Sequence, residues 1–156
     1  MFKKRSVEDP RQGRVEECVA CFEKGINCTQ AVLSTYGPQL GLDRENALKV
    51  AAAFGSGMNM GETCGAVTGA LMVIGMKHSK IKGFTLLSKE KTVDKAHEFL
   101  EGFKARHGTV VCRELLGCDV STPEGRKTAK QEQHFKERCP EYVKDAAEIL
   151  EELLKD

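Results

Sequence analysis

The chain has 156 residues, enough for one compact domain. Its 24 lysines and arginines stand against 23 aspartates and glutamates, a net charge of +1. That balance excludes the basic footprint of a nucleic-acid binder and an acidic disordered tail, and 40% hydrophobic with 30% charged residues is a soluble globular composition.

The basic start, Met1 to Pro10, has no apolar run behind it and does not read as a secretory signal. The most hydrophobic stretch, Ala66 to Met76, is far shorter than the ~20 residues that cross a bilayer. The expectation is a cytoplasmic protein without membrane insertion. Seven cysteines is a high count for that compartment, and an odd one, so they cannot all pair within the chain. In reducing surroundings cysteines point to metal or redox chemistry more than to structural staples.

Residues 1–13 are polar, carry Pro10 and Gly13, and are expected to form a flexible arm ahead of a single cysteine-rich domain over 14–156. From Arg14 the periodicity is helical, with Cys18, Cys21 and Phe22 on one face until Gly25 interrupts. Asn27 is a good N-cap for a helix with Cys28, Ala31, Val32, Thr35 and Tyr36 inward, stopped by Gly37-Pro38. Asp43 caps the next helix, with Ala47, Val50, Ala51 and Phe54 on one face. A glycine-rich bend from Phe54 to Gly61 then leads into Cys64 and a helix through Met76 that is apolar nearly all round, hence buried and central.

Gly65 and Gly69 lie four apart on that helix. Each costs about 1 kcal/mol relative to alanine, so the spacing predicts close approach of another backbone or of a cofactor. A fourth helix carries Val93, Ala96, Phe99, Leu100 and Phe103 and ends at Gly108; a short one spans Cys112 to Leu116 before Gly117. The stretch opened by Thr122-Pro123-Glu124 is poorly amphipathic and its structure stays unassigned. Pro140, suited to the first helical position, opens a last helix with Tyr142, Val143, Ala146, Ile149, Leu150 and Leu153 inward. Only Thr109-Val110-Val111 reads as strand. The expected fold is all-α, a bundle of about five to seven helices around the glycine-containing one.

Four of the seven cysteines fall within about one turn of an expected helix start: Cys28, Cys64, Cys112 and Cys139. Unpaired N–H groups and the helix dipole favour an anion there, and thiol pKa values at such positions drop from ~8.5 to between ~3.5 and ~7.5. A thiolate is both nucleophile and metal ligand. The competing reading, cysteine as a small buried hydrophobe, explains any one position well but not four together.

Asn27-Cys28-Thr29-Gln30-Ala31-Val32, the CGAxxG run Cys64 to Gly69, the segment Gly108 to Gly117 around Cys112, and Cys139-Pro140-Glu141-Tyr142-Val143 together resemble the C_GCAxxG_C_C family of redox-active proteins. The resemblance runs from about residue 14 to the C-terminus. It implies a small helical protein with four characteristic cysteines, here Cys28, Cys64, Cys112 and Cys139, and no established substrate. The family's name places Gly before and Ala after the central cysteine; this chain has Thr63 and Gly65 there.

The remaining cysteines and the histidines carry less. Cys18-Val19-Ala20-Cys21 is a lone C-x-x-C followed by Phe22, neither a haem attachment nor half of a zinc ribbon. Cys118 follows Cys112 by six residues and could substitute for it or pair with it. His107 and His134 lie five residues ahead of Cys112 and Cys139 and read as exposed polar residues before ligands or bases, and His97 reads as packing. The glycines at 55, 57 and 61 match no phosphate-binding loop. Met58, Met60, Met72 and Met76 read as core.

Three functions follow. In the first, Cys28, Cys64, Cys112 and Cys139 hold an iron–sulfur cluster, or zinc, with Gly65 and Gly69 admitting it. Iron–sulfur is preferred because the family reads as redox and the ligands are dispersed. In the second, a metal-free thiol–disulfide oxidoreductase or redox sensor, Cys64 attacks and another cysteine resolves. The third is a helical interaction protein with inert cysteines. The first two imply a redox partner protein, and a homodimer through the exposed edge of the bundle is compatible with the sequence.

Overall fold

The computed structural model describes residues 9–80, 82 and 86–155, and among them nine α-helices and no strand. These are α1 (Pro10–Glu23), α2 (Cys28–Tyr36), α3 (Arg44–Val50), α4 (Gly65–His78), α5 (Leu86–His107), α6 (Cys112–Leu116), α7 (Pro123–Gln131), α8 (His134–Glu137) and α9 (Cys139–Leu153). The all-α expectation holds. The additional helices are α7 and α8, in the stretch where the periodicity was too polar to read. Thr122 accepts from the Gly125 N–H at 3.0 Å and Pro123 opens α7.

Of the expected arm, residues 1–8 lie outside the described residues. Pro10 to Gly13 are already helix: Asp9 caps α1 by accepting from the Arg11 N–H, and Pro10 needs no donor in the first turn. The chain therefore turns helical four residues ahead of the expected boundary.

Helices α2 and α4 form the centre. Every residue of α2 from Ala31 to Tyr36 is buried, as is Thr29. On α4, Ala66, Val67, Gly69, Ala70, Val73 and Ile74 are buried. Around this pair lie α1 through Val15, Cys18 and Cys21, α5 through Phe99 and Phe103, and α9 through Val143, Ala146, Ala147 and Leu150. A buried polar contact ties three of these helices. Arg14 on α1 donates two 2.7 Å hydrogen bonds to Glu151 on α9, and the Tyr36 hydroxyl of α2 donates to the same carboxylate at 3.0 Å.

Asn27 and Gln30 form a reciprocal cap at the start of α2: the Gln30 N–H donates to Asn27 Oδ1 at 2.8 Å and the Asn27 N–H to Gln30 Oε1 at 3.0 Å. Both side chains then reach α3, Asn27 Nδ2 donating to the Ala52 carbonyl at 3.1 Å and Gln30 Nε2 to that of Leu48 at 2.9 Å. The cap thus fixes the end of α3 and, beyond it, the glycine-rich segment. Asp43 caps α3 as expected, but α3 ends at Val50, which is 56% exposed; the apolar face there is Ala47 and Ala51.

Gly65 and Gly69 face α2. A Cβ on Gly69 would stand 3.0 Å from the Thr29 carbonyl oxygen and 3.0 Å from Val32 Cβ, and one on Gly65 would stand 2.4 Å from Cys28 Sγ. What both glycines admit is helix α2 itself. The strand-like Thr109 to Val111 is an extended link making one antiparallel bridge, Val111 to Thr63.

The glycines of α4 allow a paired test. Gly69→Ala forces a methyl against a buried backbone at an overpacking cost of about 1–3 kcal/mol, more than the ~1 kcal/mol of helix propensity it gains. Gly75, on the same helix, has nothing within 4 Å of its Cβ position. Denaturant unfolding should show Gly69→Ala destabilised and Gly75→Ala stabilised by up to about 1 kcal/mol. Two stabilising alanines would mean that α2 and α4 do not touch through Gly69.

Candidate redox site

The four cysteines at helix starts meet on one cavity. Cys28 is the first residue of α2, Cys64 immediately precedes α4, Cys112 opens α6 and Cys139 opens α9. All four line the same space of about 560 Å³, whose apolar wall is supplied by Phe22, Ile26, Leu115, Leu116, Phe135 and Tyr142. Cys64 and Cys112 are buried; Cys28 and Cys139 are half-buried.

Two backbone devices bring them together. The extended pieces around Thr63 and Val111 pair so that the Cys64 N–H donates to the Val110 carbonyl at 2.7 Å and the Cys112 N–H to that of Glu62 at 2.5 Å. This sets the start of α4 beside the start of α6. The second device is the glycine-rich segment, in which Ser56, Gly57, Met58 and Asn59 all have left-handed backbones, φ between 54° and 62°. For the three non-glycine residues this is strained, at roughly 1–2 kcal/mol each. Asn59 offsets part of it by donating Nδ2 to the Ala53 carbonyl at 2.9 Å. The strained turn places Ser56 on the same cavity wall as Cys28, where its backbone N–H is among the groups that lower that thiol.

The four thiols are not equivalent. Cys28 is held down to about 7, first by a hydrogen bond from the Cys64 thiol and then by the backbone N–H groups of Ser56, Cys28 and Thr29; burial opposes this and is outweighed. Cys64 is pushed well above the ordinary thiol range because it donates to Cys28, is buried, and feels the negative charge there. Burial raises Cys112 and Cys139 to about 12 each, with the charge at Cys28 adding to it. The lowered thiol here is Cys28, whereas the sequence reading puts the attacking sulfur at Cys64. A helix start favours an anion only where donors outweigh desolvation, and three backbone donors converge on Cys28.

Gly65 leaves Cys28 Sγ its room, since any side chain there would collide with it. Gly69 lies one turn on, against the α2 backbone. Among the described residues no group of three or more His, Cys, Asp or Glu stands at a spacing that could hold a metal ion.

The other sulfurs and the imidazoles stand apart from the cavity. Cys18 is fully buried on α1 and burial raises it to about 12; Cys21 accepts from Arg44 Nη2 at 3.5 Å. Cys118 packs half-buried behind Cys112 in a small apolar cluster with Leu116, Val120 and Ala129. His134 is buried and pairs with Glu132 at 2.8 Å, while His107 is half-buried and sits 2.7 Å from Asp145, so neither is the exposed residue expected. His97, expected to pack, is exposed. Of the four methionines expected in the core, Met60 is 56% exposed and the others are half-buried.

Sequence reasoning missed two residues of the site. Ser56 acts through its backbone, which no residue type announces; a run of three glycines in seven residues was the available signal. Tyr142, read as core, lines the cavity and donates its hydroxyl to the Leu115 carbonyl at 3.0 Å, joining α9 to α6.

The sequence model of the family described as "Putative redox-active protein (C_GCAxxG_C_C)" matches residues 26–153, a span that holds all four cavity cysteines. No curated protein and no solved structure matches the chain. No helix among the described residues is long and apolar enough to cross a membrane.

Alkylation kinetics read the thiol order directly. At neutral pH iodoacetamide should modify Cys28 ahead of the other six cysteines, with a rate that rises through a midpoint near the about 7 of its thiol. Cys64→Ala removes the largest stabilising contact and should move that midpoint upward. Peptide mapping that found Cys64 labelled first would reverse the assignment.

Proposed function

The chain belongs to the C_GCAxxG_C_C family of redox-active proteins, and from that premise we propose that it is a thiol–disulfide oxidoreductase working through the pair Cys28 and Cys64. The observation that carries this reading is the convergence of Cys28 and Cys64 on one cavity, with Gly65 leaving the space beside Cys28 Sγ open; the two thiols act on each other in opposite directions, Cys28 lowered and Cys64 raised. A thiol whose pKa lies near ambient pH is the best attacker, because it combines thiolate population with nucleophilicity.

The steps balance within the pair. The Cys28 thiolate attacks one sulfur of a substrate disulfide, forming a mixed disulfide and expelling the other sulfur as a thiolate. That leaving group takes the Cys64 proton, and the Cys64 sulfur then attacks Cys28, closing a Cys28–Cys64 disulfide and expelling the second substrate sulfur. Two electrons pass to the substrate, which leaves as one thiol carrying the Cys64 proton and one thiolate that takes its proton from water, and a dithiol donor supplied by a redox partner returns the pair to its reduced form. Gly65 leaves no side chain beside Cys28 Sγ to obstruct the closing step.

The iron–sulfur or zinc reading rests on a different observation, the convergence of four cysteines on one cavity. It requires the walls to draw the sulfurs together, since no three donors stand at metal-holding spacing among the described residues. In that reading Cys28, Cys64, Cys112 and Cys139 would be the ligands, and the centre would carry electrons singly.

Single Cys→Ser variants of the anaerobically purified protein separate the two. Dithiol chemistry expects Cys28→Ser to abolish disulfide reduction and Cys64→Ser to accumulate a mixed disulfide at Cys28, visible by mass spectrometry as half the substrate added. Cys112→Ser and Cys139→Ser should retain turnover. Stoichiometric iron and sulfide, or zinc, lost in all four variants alike would replace the dithiol reading with the metal one.

A further inference from the structure

The cavity around Cys28 is a small-molecule site by size and by lining. At about 560 Å³ it falls within the ~300–1,000 Å³ of ligand pockets. Its walls are aromatic and aliphatic, from Phe22 at the end of α1 through Leu115 and Leu116 on α6 to Phe135 on α8. The ionic residues among its lining, apart from the thiols, are Glu23 and Lys136, one of each sign and both exposed. Among the described residues no arginine lines it, so none of them offers there the paired donors that bind a carboxylate in bidentate fashion. Phe135, 36% exposed, stands with Glu23 and Lys136 on the solvent side.

Resting on the dithiol reading, we propose that this cavity takes a small, uncharged, largely apolar disulfide, one sulfur against Cys28 and its flanking groups against Phe22, Leu115, Leu116 and Phe135. Two physical arguments select that class. Desolvating a carboxylate or ammonium group in an apolar wall without a partner is strongly unfavourable, which disfavours charged peptide disulfides. Apolar flanks gain from burial against such walls. The electron balance is that of the pair: the substrate S–S bond breaks, the Cys28–Cys64 bond forms, and one departing sulfur carries away the Cys64 proton.

Three chromogenic or assayable disulfides test this with the full chain: uncharged dithiodipyridine, its dianionic counterpart dithiobis-nitrobenzoate, and oxidised glutathione. Each rate is divided by the rate of the same disulfide with a simple free thiol, which removes intrinsic reactivity. The expected kcat/KM preference for dithiodipyridine is on the order of tenfold or more, and Phe135→Asp, at the half-exposed rim, should narrow it by about tenfold. Alongside, dipyridyl sulfide, a thioether that cannot be reduced, is titrated by NMR into the Cys28→Ser/Cys64→Ser double variant, with shifts expected at Leu115, Leu116 and Tyr142. Equal normalised rates with no thioether binding overturn the inference and leave the dithiol reading standing. Thioether binding with none of the three disulfides reduced upholds the apolar site and overturns the dithiol chemistry.

Discussion

The approach of α2 to α4 is the contact on which the rest of the molecule depends. Two glycines one turn apart remove the side chains that would hold the helices at an ordinary distance, and the α2 backbone moves into the space. The Thr29 and Thr68 hydroxyls, 3.2 Å apart, add a polar contact across the same seam. Core and site are therefore one construction. The lower glycine lets α2 pack as the buried middle of the bundle, and the upper one leaves the Cys28 sulfur its room. A helix pair spaced by alanines would still bury a core but would push Cys28 and the start of α2 away from α4.

From that seam the remaining parts of the site are placed by backbone. The reciprocal cap of Asn27 and Gln30 fixes α2 and, through the carbonyls of Leu48 and Ala52, the end of α3. The strained turn that follows then has a fixed starting point, which is what lets residues with left-handed backbones persist. Their strain is compensated where it is used, in a Ser56 N–H that is among the groups lowering Cys28. On the far side, the single bridge between Thr63 and Val111 does the same for α6, and the Tyr142 hydroxyl ties α6 to the start of α9.

Much of this was legible. Asn27, Asp43 and Pro140 act locally, so the starts of α2, α3 and α9 follow from residue type alone, and the four cysteines fall at helix starts as their neighbours imply. The close approach at Gly65 and Gly69 was legible as a need, because two glycines inside an apolar helix must be offset by something; that α2 and not a cofactor fills the space depends on tertiary packing. The order of acidity was not legible. Helix position is shared by Cys28, Cys64, Cys112 and Cys139, whereas the balance between donors and desolvation is decided by Ser56 from another segment and by depth in the cavity. Nor were α7 and α8, whose short polar sequences are held by Thr122 and by packing of Val120 and Ala129 against Leu116.

That order of acidity has a cause beyond any single thiol. Like charges inside one poorly solvated cavity repel, so ionising one thiol raises the pKa of its neighbours. An anion at Cys28 therefore suppresses ionisation around it, and its charge is among the causes that raise Cys64, Cys112 and Cys139. The cavity favours one anion, at the sulfur with the most backbone donors. Closing a Cys28–Cys64 disulfide removes that charge, so the electrostatic part of the shift at Cys112 and Cys139 lifts while burial continues to hold both protonated. A metal centre would invert the scheme, because a cation's own charge deprotonates the thiols that coordinate it. The dithiol reading uses the inequality of the sulfurs as it stands, with Cys28 the lowered thiol and Cys64 the raised one.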